Sequence, residues 1–170
     1  MKEEKVLGIL KSAILLEKRG ENFYRKIAEL SKNEEVADFF MKMSHEERLH
    51  ARTLKEQYEA YQGNKKFDPL VNEKYTQSAC EKPVDAILDP KLKNLIAAAD
   101  FEAASISAAI AMEQAAIKLY SERAEHARDK NEKELYSWLV NWERGHLETL
   151  VELDKEIQEK IWYDNNFWPM

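Results

Sequence analysis

At 170 residues the chain is about one domain's worth, long enough to bury a sizeable core. Four Gly and four Pro are too few for the closely spaced turns of a sandwich or barrel, which excludes an all-β fold. A net charge of −6 argues against nucleic acid as a partner, and a single cysteine, Cys80, excludes both a disulfide framework and a four-cysteine zinc or iron–sulfur site.

Four long helical patterns follow one another at 3–31, 35–61, 100–128 and 131–161, each with apolar residues spaced by three and four. The turn at Lys32-Asn33-Glu34 and the one at Asp129-Lys130-Asn131 are both short, so each pair of helices should form an antiparallel hairpin. Residues 62–99 hold Gly63, Pro69, Cys80, Pro83 and Pro90 and are far longer than a local turn needs. They predict a crossover along the length of the bundle, with a short helical piece from Pro90 to Ala99. Helices two and three are then parallel. The expected fold class is all-α: a ferritin-like four-helix bundle forming one domain over 1–170. An aromatic tail, 162–170, with Trp162, Tyr163, Phe167 and Trp168, should pack on the bundle or against a second subunit, which suggests a homodimer. No run of 18 apolar residues offers a membrane span, and the N-terminus lacks a signal-peptide pattern, so a cytoplasmic protein with no membrane partner is expected.

The two hairpins are copies of one another. Shifted by 96 residues they align without a gap: Ala13-Ile14 on Ala109-Ile110, Glu17 on Glu113, Tyr24 on Tyr120, Glu47 on Glu143, His50 on His146, and Thr53-Leu54 on Thr149-Leu150. The polar members fall on the apolar stripes. Glu17 and Tyr24 share a face with Leu10 and Ile14, and Glu47 and His50 with Phe40, Met43 and Leu54. Glu113 and Tyr120 share one with Ile106 and Ile110, and Glu143 and His146 with Leu139 and Leu150.

A lone Glu on a helix is ordinarily a solvated charge; six ligand-type residues in repeated register on buried stripes are not. Four buried carboxylates would repel one another and resist desolvation. Four carboxylates and two neutral imidazoles carry −4, which two divalent ions neutralise. The donors are oxygen and imidazole with no thiolate, a set that suits iron or manganese and disfavours a structural zinc site. Each Glu-x-x-His places both side chains on one face, one turn apart, where they can share an ion. Each such pair follows a lone buried Glu by 30 residues.

These motifs resemble the di-iron carboxylate proteins of the ferritin-like superfamily, most closely the rubrerythrin branch. Ala13-Ile14-x-x-Glu17-x-x-Gly20-x-x-Phe23-Tyr24 is similar to that branch's first-helix signature, and Ala109-Ile110-x-x-Glu113-x-x-Ala116-x-x-Leu119-Tyr120 to its third. Glu47-x-x-His50 and Glu143-x-x-His146 match the second and fourth. The resemblance covers about 5–60 and 100–155. It implies two iron ions per chain, with manganese or zinc as substitutes. It also implies Glu17 and Glu113 as terminal ligands, each with one His, and Glu47 and Glu143 as bridges. The implied activity is reduction of peroxide or O₂.

Three departures narrow the resemblance. A full rubrerythrin ends in a four-cysteine rubredoxin domain, and the sequence holds no such run, so the expected electron donor is a separate protein. The extra third-helix Glu of rubrerythrin is Ala116 here, which leaves a six-ligand set similar to the bacterioferritin ferroxidase centre. Arg48 stands where bacterioferritin carries its haem-ligating Met. The alternatives to a peroxide- or O₂-reducing enzyme are a storage ferroxidase, a di-iron hydroxylase and a metal-free bundle.

Tyr24 and Tyr120 are the candidate catalytic residues, either as hydrogen-bond donors to ligand carboxylates or as oxidisable groups. Glu21 has Ile117 as its repeat mate and is expected at the surface; His45 and His126 have no mates and no assigned role. Trp138 and Trp142 are expected to fill a packing or subunit interface. A metal-bound His usually donates its second N–H to an acceptor. Glu46 can accept from His146, whereas the equivalent position in the other half is Trp142, whose indole only donates.

Overall fold

The computed structural model describes residues 2–69, 89–97 and 100–164, and among these it contains helices and no strand. The helices are α1 Lys2–Leu30, α2 Glu34–Asn64, α3 Pro90–Ala97, α4 Asp100–His126 and α5 Lys130–Asp164. None of them is long and apolar enough to cross a membrane.

Side-chain caps start three of the five. The Asn33 side chain accepts from Val36 N at α2, Asp89 from Leu92 N at α3, and Asp129 from Asn131 N and Glu132 N at α5. Both short turns therefore lie where the sequence predicts them. Two helices run further than their patterns suggest. Gly63 is tolerated inside α2, which stops only where Lys65 turns left-handed (φ 58°) and its N–H bonds the Tyr61 carbonyl. α5 continues through Trp162 and Tyr163, so these residues form its last turn rather than opening a tail. They are 49% and 70% exposed. Phe167 and Trp168 lie outside the described residues, as do Cys80, Pro83 and the rest of 70–88.

Hydrogen bonds across the bundle set the helix directions. Tyr24 of α1 donates to Glu113 of α4, and Tyr120 of α4 donates to Glu17 of α1. Numbers rise on one helix as they fall on the other, so α1 and α4 are antiparallel. Glu46 and Glu47 face His146 while His50 faces Glu143, which makes α2 and α5 antiparallel too. Since α1 and α2 form a hairpin, α2 and α4 run parallel, as the crossover reading requires. The connection leaves α2 through Phe67, packed near Leu10 and Leu135 at one end. It returns at α3, whose Leu92 and Ile96 pack with Val36 and Leu153 at the other. Lys91 pairs with Glu35 of α2 and Lys93 with Glu152 of α5, which ties α3 to both.

The core has two apolar halves. One gathers Tyr24, Ile27, Val36, Phe40, Met43, Ile106, Leu150 and Leu153. The other gathers Leu10, Ala13, Leu54, Tyr120, Tyr136 and Leu139. Between them, at the middle of all four long helices, lies a buried polar belt. Leu54 and Leu150, repeat mates at opposite halves, are each fully buried. Leu54→Ala and Leu150→Ala should each cost about 2–5 kcal/mol in urea unfolding of the metal-free protein. Leu15→Ala, at a position 59% exposed, should change stability by less than about 0.5 kcal/mol.

Candidate metal centre

The belt is built one residue from each turn that passes it. On α1, Glu17 lies two helical turns before Tyr24 on the buried face, with Gly20 between them. On α2, Glu47 and His50 follow Met43 along one stripe. α4 and α5 repeat the arrangement with Glu113, Glu143 and His146. All six residues are buried: Glu17, Glu47, Glu113 and His146 keep 2–3% of their surface, and His50 and Glu143 none.

The structure brings all six expected residues together, in two groups. Glu17, Glu47, His50 and Glu143 each offer a ligand atom to one group; Glu47, Glu113, Glu143 and His146 do so to the other. In each group the ligand atoms lie within 4.8 Å of one another. Glu47 and Glu143 belong to both, which is the arrangement a pair of bridging carboxylates needs.

Both imidazoles present Nδ1 to the carboxylates. His50 Nδ1 is 3.0 Å from Glu143 Oε1, 3.2 Å from Glu17 Oε2 and 3.7 Å from Glu47 Oε2. His146 Nδ1 is 3.1 Å from Glu47 Oε1, 3.4 Å from Glu143 Oε2 and 3.8 Å from Glu113 Oε1. Ligands bonded about 2.1 Å from one octahedral ion stand roughly 3–4 Å apart, so these separations suit a shared cation. Several of the same atoms have no hydrogen-bond partner although they are buried: Glu47 Oε1, both oxygens of Glu143 and His146 Nδ1. Orphaned buried acceptors of this kind are costly in a folded protein unless something positive meets them. The donor set therefore fits a metal.

The protonation pattern says the same. Burial, reinforced by Glu143 and Glu47, pushes the Glu17 carboxyl well above the usual range; burial with Glu47 and Glu143 does this to Glu113. Burial also opposes ionisation of Glu47 and Glu143, but the adjacent imidazoles outweigh it and hold both below the usual range. The reverse balance applies to His50 and His146. Burial works against their charge, and the surrounding carboxylates raise both well above an ordinary histidine. Without metal, the cluster thus approaches neutrality by protonating itself. Burial and the neighbouring carboxylates likewise raise the Tyr24 and Tyr120 hydroxyls, so both keep the protons they donate to Glu113 and Glu17. This is the hydrogen-bonding role anticipated for the two tyrosines.

Other residues depart from expectation. Glu21 is buried rather than at the surface. It pairs with Lys18 at 2.6 Å and Arg48 at 2.9 Å, and its carbonyl accepts from Ser44 at 2.9 Å. Burial would raise its carboxyl, but Lys18 and Arg48 outweigh that and lower it. Glu21 takes no part in either ligand group. Trp138 and Trp142 do pack, edgewise against the His50 ring, at 5.4 and 5.7 Å between centroids. Gly20 carries a role the motif alone does not reveal: a Cβ there would stand 3.2 Å from Glu47 Cγ and Cδ. His45 and His126 are exposed.

Four-helix topology, paired Glu and Glu-x-x-His motifs and a shared carboxylate pair define a ferritin-like helical bundle with a buried carboxylate and histidine cluster fit for metal. The rubrerythrin family model matches residues 8–154, and the chain belongs to that family. No curated protein and no solved structure matches it.

Metal binding must displace protons from this cluster, at least the imidazolium protons of His50 and His146. Groups whose pKa is raised hold protons more firmly as pH falls, so affinity should drop toward acid. The expected slope is about tenfold or more per pH unit below the imidazole pKa values. Titration calorimetry in buffers of different ionisation enthalpy measures the protons released. Binding that releases none would contradict the arrangement.

Proposed function

We propose that the chain is a di-iron oxidoreductase that reduces peroxide or O₂ with electrons from a separate donor protein. The observation that carries this reading is the pair of buried ligand groups sharing Glu47 and Glu143. In this assignment Glu17 and His50 complete one metal position, and Glu113 and His146 the other. A ferrous pair held there would supply two electrons, which with two protons take hydrogen peroxide to two waters or O₂ to the peroxide level, the donor protein supplying any further electrons.

The chain's own residues hold and orient. Tyr24 donates to Glu113 Oε1 and Tyr120 to Glu17 Oε1, so each fixes a terminal carboxylate from the opposite helix. The apolar halves of the core exclude water on both sides. A small cleft of about 10 Å³ between α1 and α4, room for about one water-sized molecule, is lined by Leu16, Gly20, Met112 and Ala116 together with Glu17, Glu47 and Glu113. It lies beside the terminal carboxylates, with neither histidine in its wall. Gly20 and Ala116 keep it open by being small.

One observation favours a second reading. Ala116 lines the cleft where rubrerythrin carries its extra Glu, which leaves the six-ligand set of a ferroxidase. Anaerobic Fe(II) loading followed by rapid mixing with H₂O₂ and, separately, O₂ tests both. A faster reaction with peroxide and no mineral core is expected; faster reaction with O₂, or retention of hundreds of irons per particle, would assign storage instead. Gly20→Ala should press on Glu47 and slow the reaction with either oxidant by about tenfold, because small displacements of a reacting centre are costly. An unchanged rate would remove the cleft and Glu47 from the mechanism.

A further inference from the structure

Resting on the two-metal reading, we infer that the two metal positions are unequal: the Glu113–His146 position binds first and more tightly, because Glu46 backs His146 while Trp138 and Trp142 back His50.

The repeat makes this difference visible. Glu46 and Trp142 are mates across the 96-residue shift, each four residues before a ligand histidine on its own helix and each facing the histidine of the other hairpin. Glu46 accepts a hydrogen bond from His146 Nε2 at 2.6 Å, a short, charge-assisted contact. With Nε2 so engaged, His146 is held as the Nδ1 donor and its basicity toward a metal rises. His50 has no such partner. Its Nδ1 faces the carboxylates, while its Nε2 is buried without a hydrogen bond. The ring instead meets Trp138 and Trp142, at interplanar angles of 84° and 67°. An indole N–H cannot accept the imidazole proton; the aromatic surface offers only a weak contact. Coordination through Nδ1 leaves a buried N–H donor unsatisfied at His50 and satisfied at His146.

The consequence is sequential loading. Partners of metal-bound histidines typically account for about 10–100-fold in affinity, and that is the expected ratio between the two steps. Glu46 and Trp142 thus act as positioning residues through the histidines and touch no metal themselves. In the half-loaded state the ion occupies the Glu113–His146 position, so the protein waits with one metal bound and completes the pair only when the second ion is abundant.

The test uses the full chain and Co(II), whose visible bands report each site as it fills, with titration calorimetry alongside. Two steps separated by about tenfold or more are expected. Glu113→Ala should abolish the tight step and Glu17→Ala the weak one. Glu46→Gln, which keeps an acceptor but loses the charge, should weaken the tight step in part; Glu46→Ala should weaken it further, with the weak step unmoved. Trp142→Glu, which gives His50 the residue that His146 enjoys, should strengthen the weak step, whereas Trp142→Phe should not. Far-ultraviolet circular dichroism confirms folding of each variant, and if Trp142→Glu fails to fold, the Glu46 pair still decides. Two equal steps, or loss of the tight step in Glu17→Ala, would overturn the inequality and leave the two-metal reading standing. Absence of Co(II) binding in the unaltered chain would overturn both.

Discussion

Four carboxylates and two imidazoles enclosed at the middle of a helical bundle are the constraint to which the rest of the molecule answers. Ionised together without a cation, the four acids could not coexist in a low-dielectric interior. The protein meets this in the absence of metal by dividing the charge: Glu47 and Glu143 sit beside protonated imidazoles, while Glu17 and Glu113 resist ionisation. The same six side chains have every proton they need to lose when a metal arrives. One set of groups can therefore balance the charge under two conditions, and in the absence of metal the tyrosine hydroxyls hold the terminal carboxylates in place.

The surroundings are not symmetric, although the ligands are. Beside the first ligand pair, Glu21, Arg48 and Ser44 knit α1 to α2 through an ion pair and a hydrogen bond to the Glu21 carbonyl. Their repeat mates are Ile117, Arg144 and Val140, which cannot form the same contacts. The first hairpin is thus pinned by polar contacts close to its ligands, and the second relies on apolar packing around Leu135, Leu139 and Val140. Duplicated ligands have been kept in register while the layer behind them has diverged.

Much of this was legible in the sequence because metal ligands violate the amphipathic pattern that encloses them. Glu17, Glu47, Glu113 and Glu143 stand out on stripes otherwise filled by Leu, Ile and Phe, and the repeat separates them from the many surface acids. The contact of Glu46 with His146 could also be anticipated, since register fixes which residue faces which. Glu21 could not be recognised as buried by the same reasoning. Its mate is apolar, and its burial depends on Arg48 crossing from another helix. Trp142 against His50 followed from the same register, whereas Trp138 beside it did not, because periodicity gives a direction around a helix and not the neighbour met there. Helix ends were also blurred: Gly63 reads as a stop, yet a glycine inside a helix costs only about 1 kcal/mol and the packing of α2 carries through it.

The division of ligands between hairpins has a bearing on folding order. Each group takes Glu47 from the first hairpin and Glu143 from the second, so neither hairpin alone contains a complete set. Contacts within a hairpin are local and form quickly, whereas docking the two requires closure of the long segment between Phe67 and Pro90. Each hairpin alone brings together one pair of acids, Glu17 with Glu47 or Glu113 with Glu143, and all four meet only on docking. Docking is consequently the step most sensitive to protons and cations in the medium, and the late stage of assembly is governed by electrostatics where the early stage is governed by hydrophobic burial.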